Sequence, residues 1–89
     1  MYNNTAKLIN ASGLHARPAS DFVKLAKTFQ SKISIRRVGE EKGVNAKSIV
    51  MLLSQGLACG TMVEITAEGE DEETAVKALV ELIASGFGE

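Results

Sequence analysis

Two periods of hydrophobic and polar residues alternate along this chain, and each switch between them marks an element. Residues 5–9 alternate as a short strand, with Ala6 and Leu8 on one face. Asn10-Ala11-Ser12-Gly13 interrupts the pattern as a polar loop. From residue 16 to residue 29 the period becomes helical, and Ala19, Phe22, Val23, Ala26 and Phe29 form one buried face. Pro18 falls in the first turn of that helix, where a missing N–H costs nothing.

Residues 32–38 alternate again, with Ile33 and Ile35 on one side and Ser34 and Arg36 on the other. Gly39-Glu40-Glu41-Lys42-Gly43 is a glycine-bounded hairpin loop, from which a short strand returns around Val44. Residues 47–55 predict a short helix that Gly56 ends. Residues 61–67 predict a strand with Val63, Ile65 and Ala67 inward. Residues 71–84 predict a second long helix with Ala75, Val76, Leu79, Val80, Leu82 and Ile83 on its apolar stripe. Gly86-Phe87-Gly88-Glu89 reads as a helix stop followed by a frayed tail.

The order is therefore strand, helix, strand, strand, short helix, strand, helix. Two amphipathic helices need one sheet face to cover them, so the expected class is α+β: a four-stranded, mainly antiparallel sheet with the helices on one side. Ser34, Arg36, Glu64 and Thr66 mark the opposite face as solvated.

Composition narrows the function classes. With 89 residues, one domain spanning 1–89 is expected. A net charge of -1 argues against a nucleic-acid protein, which shows a basic excess. It equally lacks the polybasic stretch of a membrane-surface protein. No apolar run is long enough for membrane insertion. Met1-Tyr2-Asn3-Asn4-Thr5 lacks the charged-then-apolar layout of a signal peptide. One cysteine, Cys59, cannot form an internal disulfide, which fits a reducing cytoplasm, and it reads as a small loop filler. One histidine and one cysteine make a zinc site untenable, and neither a metal nor a cofactor is expected.

The candidate chemistry gathers around the single histidine. His15 stands between the 10–13 loop and the predicted helix start, off the apolar stripe. A helix start presents unpaired N–H groups and a partial positive charge, which suit a phosphate. Arg17 can add a charge-assisted donor, and Gly13 lets the backbone approach closely. Nucleophile, anion cradle and cation thus fall within five residues, although residue chemistry alone favours a capping or surface histidine. Arg17, Ser20, Lys24 and Lys27 share one side of the helix by their spacing. Ile49, Val50, Met51, Leu52 and Leu53 are too many for one buried helix face, so some are exposed or meet a partner. Ser48 precedes that helix as a candidate cap, with Asn45 as a competitor. Glu68–Glu73 supplies negative charge where it stabilises a helix start, and Glu73 can pair with Lys77.

The segment Gly13-Leu14-His15-Ala16-Arg17-Pro18-Ala19 resembles the active-site signature of the HPr family, the histidine-containing phosphocarriers of the bacterial phosphoenolpyruvate-dependent sugar phosphotransferase system. The resemblance extends over Asn45-Ala46-Lys47-Ser48-Ile49, Gly56, Gly60 and Ala67-Glu68-Gly69-Glu70-Asp71-Glu72. It implies the open-faced β-sandwich of that family, in the order βαββαβα. It implies a phosphocarrier rather than an enzyme, with His15 as acceptor on Nδ1, Arg17 steadying the phosphoryl group, and the Ala16 and Arg17 N–H groups cradling it. The implied partners are enzyme I and the IIA domains of sugar permeases, met by Ser20, Lys24, Lys27, Ile49 and Leu53, with the chain a monomer. The serine motif further implies regulatory phosphorylation of Ser48 by HPr kinase/phosphorylase and recognition by a catabolite control regulator. Val50 and Leu53 stand where many relatives carry methionine, and Cys59 where they often carry lysine. The 38–44 hairpin is about two residues longer than in many relatives, with no function assigned. A carrier of a regulatory, non-transport branch and a non-catalytic interaction module are the alternatives.

Overall fold

A computed structural model of the chain describes residues 1–88. Its elements are β1 (Tyr2–Lys7), α1 (Ala16–Lys27), β2 (Lys32–Arg37), β3 (Val44–Asn45), α2 (Ile49–Ser54), β4 (Met62–Glu68) and α3 (Glu72–Ala84), followed by a 3-10 turn at Gly86–Gly88. The sheet order is β1-β4-β2-β3, and every neighbouring pair is antiparallel. The α+β open-faced sandwich read from the sequence is therefore the fold.

Central β4 explains the sheet. Its alternate residues Val63, Ile65 and Ala67 are buried, and they pair across β2 with Arg37, Ile35 and Ile33. The helices cover this face with Ala19, Phe22, Val23 and Ala26 from α1 and with Ala75, Val76, Leu79 and Ile83 from α3. The opposite face is polar. There Arg36 lies across from Glu64, with Nε and Nη2 at 2.9 and 2.8 Å from Oε1. Such a cross-strand pair stabilises register more than it adds stability.

Three details differ from the sequence reading. The first strand runs over Tyr2–Lys7, starting three residues and ending two residues before the 5–9 segment that the alternation suggests. Its ladder to β4 decides this, because Tyr2 pairs with Ala67 and Lys7 with Met62, while exposed Ile9 has left the sheet. Helix α1 ends at Lys27, and Phe29 packs on the core from beyond the helix. The predicted frayed tail is ordered as far as Gly88: Gly86 is buried and Phe87 packs against the core. Glu89, the last residue of that predicted tail, lies outside the described residues.

Long-range polar contacts lock the helix layer. Asp71, the residue before α3, accepts from Gln30 N–H at 2.8 Å, from Ser31 N–H at 3.0 Å, and from the Ser31 hydroxyl. This clasp joins the α1–β2 turn to the start of α3. It holds the Asp71 carboxyl below its ordinary range, chiefly through the Ser31 hydroxyl and then the Gln30 N–H. The predicted Glu73–Lys77 pair forms at 2.8 Å, and Glu72 takes the N-terminal amine at 2.9 Å.

Candidate functional site

The 10–14 loop is built to push one side chain outward. Leu14 is fully buried and anchors the loop in the core, whereas its neighbour His15 is exposed. Asn10 draws the loop tight: its Nδ2 donates to Gly13 O at 2.9 Å, and its carbonyl accepts from Gly13 N–H at 3.1 Å. Below it runs the 57–60 loop. Leu14 N–H donates to Leu57 O at 2.8 Å, and Gly60 N–H donates to Leu8 O at 2.6 Å. Gly13 sits at the crossing with φ +62°, where a Cβ would meet the Leu57 carbonyl oxygen and lie 2.8 Å from Ala58 Cα. Glycine is required there for both conformation and space.

His15 occupies the N-cap position of α1 in extended conformation, with φ -127° and ψ 160°, and its ring makes no cap bond to the helix. Ala16 then takes φ +49°, a left-handed conformation that alanine adopts only against resistance. This reversal joins the extended His15 backbone to the right-handed helix that follows. Arg17 is exposed, and Pro18 and Ala19 turn into the core. Histidine, helix start and arginine therefore share one solvent-facing corner.

The second sequence motif also sits at a helix start. Ser48 is the N-cap of α2, and its Oγ accepts from Met51 N–H at 3.3 Å. Asn45 does not compete for that position. Its Oδ1 accepts from Lys47 N–H at 2.9 Å, capping the turn before the helix. Lys47 Nζ donates to Phe29 O at 2.7 Å and so ties this turn to the end of α1.

Between α1 and α2 lies a groove of about 230 Å³ lined by Ser20, Val23, Lys24, Lys27 and Ile49. Four of the five residues expected to dock partners thus line one groove. Leu53 is not among its lining residues, but it is 42% exposed on α2. Val50 is 72% exposed, so the apolar surplus of α2 does face outward. Cys59 is exposed in the loop that supports Gly13.

Sequence reasoning missed two contributors to this corner. Asn10 looked like a loop residue, although an asparagine three residues before a glycine is a recognisable turn signal. The Leu57–Ala58 backbone left no local signal, because its role depends on a crossing of distant loops.

Known proteins resemble this chain along nearly its whole length. The family model described as PTS HPr component phosphorylation site matches residues 2–85. The phosphocarrier protein HPr of Haemophilus influenzae is 46% identical over 83 residues, covering 93% of this chain and 95% of that protein. The crystal structure of HPr-C-His from Thermoanaerobacter tengcongensis superposes with a TM-score of 0.94 at 49% identity, over 100% of this chain and 98% of that one. An HPr dimer from the same organism matches with a TM-score of 0.78 at 49% identity, covering both chains fully. With its fold, its 2–85 match and these near full-length relatives, the chain belongs to the HPr family of phosphocarrier proteins of the phosphotransferase system.

Proposed function

We propose that His15 accepts a phosphoryl group on Nδ1 from phospho-enzyme I and passes it to the IIA domains of sugar permeases. The placing of His15 supports this most strongly: an exposed imidazole at the N-cap of α1, free of any cap bond, with Arg17 exposed two residues on. In the transfer, the ring nitrogen attacks phosphorus, an N–P bond forms, and the donor leaves with the electron pair of the bond that breaks. The Ala16 and Arg17 N–H groups at the helix start and the Arg17 guanidinium hold the phosphoryl oxygens. Positioning and charge suffice for such a transfer, so the chain needs no metal or cofactor of its own. It acts as a carrier with a transient phosphohistidine rather than as an enzyme.

Partners dock on the α1–α2 surface. Lys24 and Lys27 steer acidic partner faces, Ser20 flanks them, and Ile49 and Leu53 add apolar contact. Ser48 is the regulatory site for HPr kinase/phosphorylase. A phosphate there adds roughly two negative charges to the docking surface and repels an acidic enzyme I, while offering a catabolite control regulator a group to bind. The whole chain works as one unit in the cytoplasm. A monomer suffices, because His15, Arg17 and the groove all come from one chain. The second transfer tests this reading: chain phosphorylated by enzyme I, once isolated, loses its label to a IIA domain, and retention of the label by His15 would refute the carrier role.

A further inference from the structure

Helix α2 is only six residues long, too short to hold itself in water. Leu52 is its buried anchor, while Ile49, Val50, Met51 and Leu53 face outward. Its order therefore depends on its ends. Ser48 caps the N-terminus, but the last turn contains no basic residue to meet the carbonyls left unpaired there.

Arg37, at the end of β2, supplies that cation from outside. Its Nη2 donates to Gln55 O, the C-cap carbonyl of α2, at 2.9 Å. Nη1 of the same guanidinium lies 2.6 Å from Glu40 Oε1. Glu40 belongs to the β2–β3 hairpin and is itself fixed at the backbone: its N–H donates to Arg37 O at 3.0 Å, and its carbonyl accepts from Arg36 Nη1 at 2.8 Å. Arg36 is in turn held by Glu64. The hairpin thus presents a carboxylate that aims one arginine at the end of α2.

We propose that Arg37 and Glu40 form a clamp on the C-terminal turn of α2 that sets how tightly the chain engages its docking partners. This rests on the carrier reading above, in which the outer face of α2 is a partner contact. Neither clamp residue lines the α1–α2 groove. Arg37 and Glu40 are 38% and 45% exposed, so their ion pair adds little to global stability. Its effect is to preorganise α2: a partner meeting a frayed helix must first order it, which weakens binding without touching the transfer step.

Steady-state phosphorylation by enzyme I and amide hydrogen exchange test the clamp on the full chain. Arg37→Ala raises the KM for this chain about fivefold with kcat unchanged, the size that loss of one half-exposed hydrogen bond produces. In the isolated variant the Gln55 and Gly56 amides, which donate to Leu52 O and Leu53 O, exchange faster while Ile65 keeps its protection. Glu40→Ala also raises KM but adds nothing in the Arg37→Ala background. Arg37→Lys recovers only part of the loss, because one ammonium does not reproduce the guanidinium fork. Simple steering by positive charge makes the opposite prediction for Glu40→Ala, a lower KM that salt abolishes. That result, or an unchanged KM or unchanged Gln55 and Gly56 exchange in Arg37→Ala, overturns the clamp. Failure of the unsubstituted chain to accept phosphate would instead strike the carrier reading, and the exchange rates would still judge the clamp.

Discussion

Leu14 donates its N–H to the Leu57 carbonyl at 2.8 Å, and this bond fastens the loop bearing His15 onto the loop leading to β4. The two backbones can approach this closely because residue 13 has no side chain. Gly13→Ala must therefore both resist φ +62° and push the loops apart. We expect a loss of about 2 kcal/mol in unfolding free energy, read from the urea midpoint. Phosphoryl acceptance should fall further than stability alone explains, because His15 moves with the loop.

Ala16 gives the reverse case. Its φ of +49° is unfavourable for alanine and easy for glycine, and its side chain is exposed. Ala16→Gly should stabilise the fold by about 1 kcal/mol, against the usual cost of glycine at a helix. Chemical denaturation measures this directly. A destabilised variant would mean that the left-handed turn is absent in solution.

The Asp71 clasp makes stability depend on acid. Its carboxyl is held below the ordinary value of 3.8, first by the Ser31 hydroxyl and next by the Gln30 N–H. A carboxyl with a lowered folded value stabilises fully above its unfolded value and loses that contribution as pH falls through the folded one. Glu72 behaves likewise, lowered from 4.5 by the N-terminal amine and then by the Gly69 N–H. Unfolding free energy should therefore decline below about pH 4. In Asp71→Asn that decline should be shallower, with a lower plateau at neutral pH, as urea titrations across pH would record.

Ser48 has two separable roles. Ser48→Ala removes the acceptor for Met51 N–H and should cost about 1 kcal/mol. Ser48→Asp keeps a capping oxygen and adds negative charge, so its stability should stay close to that of the unsubstituted chain. Transfer from enzyme I should slow in Ser48→Asp well beyond the modest rise in KM that a frayed α2 gives Ser48→Ala, as rate measurements on both variants would establish. Equal slowing in both would remove the electrostatic switch and leave only the cap.

Much of this molecule was legible where information is local. The alternation at Val63, Ile65 and Ala67 placed β4, and the helical spacing from Ala19 to Ala26 placed α1, because both patterns report a single buried face. The His15-Ala16-Arg17 segment was legible because its parts are contiguous. Contacts made by folding were not. Asp71 looked like a helix-start charge, since nothing near residue 71 announces Ser31 forty positions away. Arg37 looked like one more residue in an alternating strand, although it meets the end of α2. Ala16 concealed its left-handed turn, because alanine ordinarily signals the opposite. The start of β1 was missed because its partner strand, rather than its own weak alternation, sets the register.

In the proposed function His15 carries the phosphoryl group. Incubation of the chain with enzyme I and labelled phosphoenolpyruvate, followed by acid treatment, measures it most directly. We expect about one acid-labile phosphate per chain, none in His15→Ala, and slowed uptake in Arg17→Ala. No labile phosphate on the unsubstituted chain, or undiminished phosphate on His15→Ala, would contradict that role.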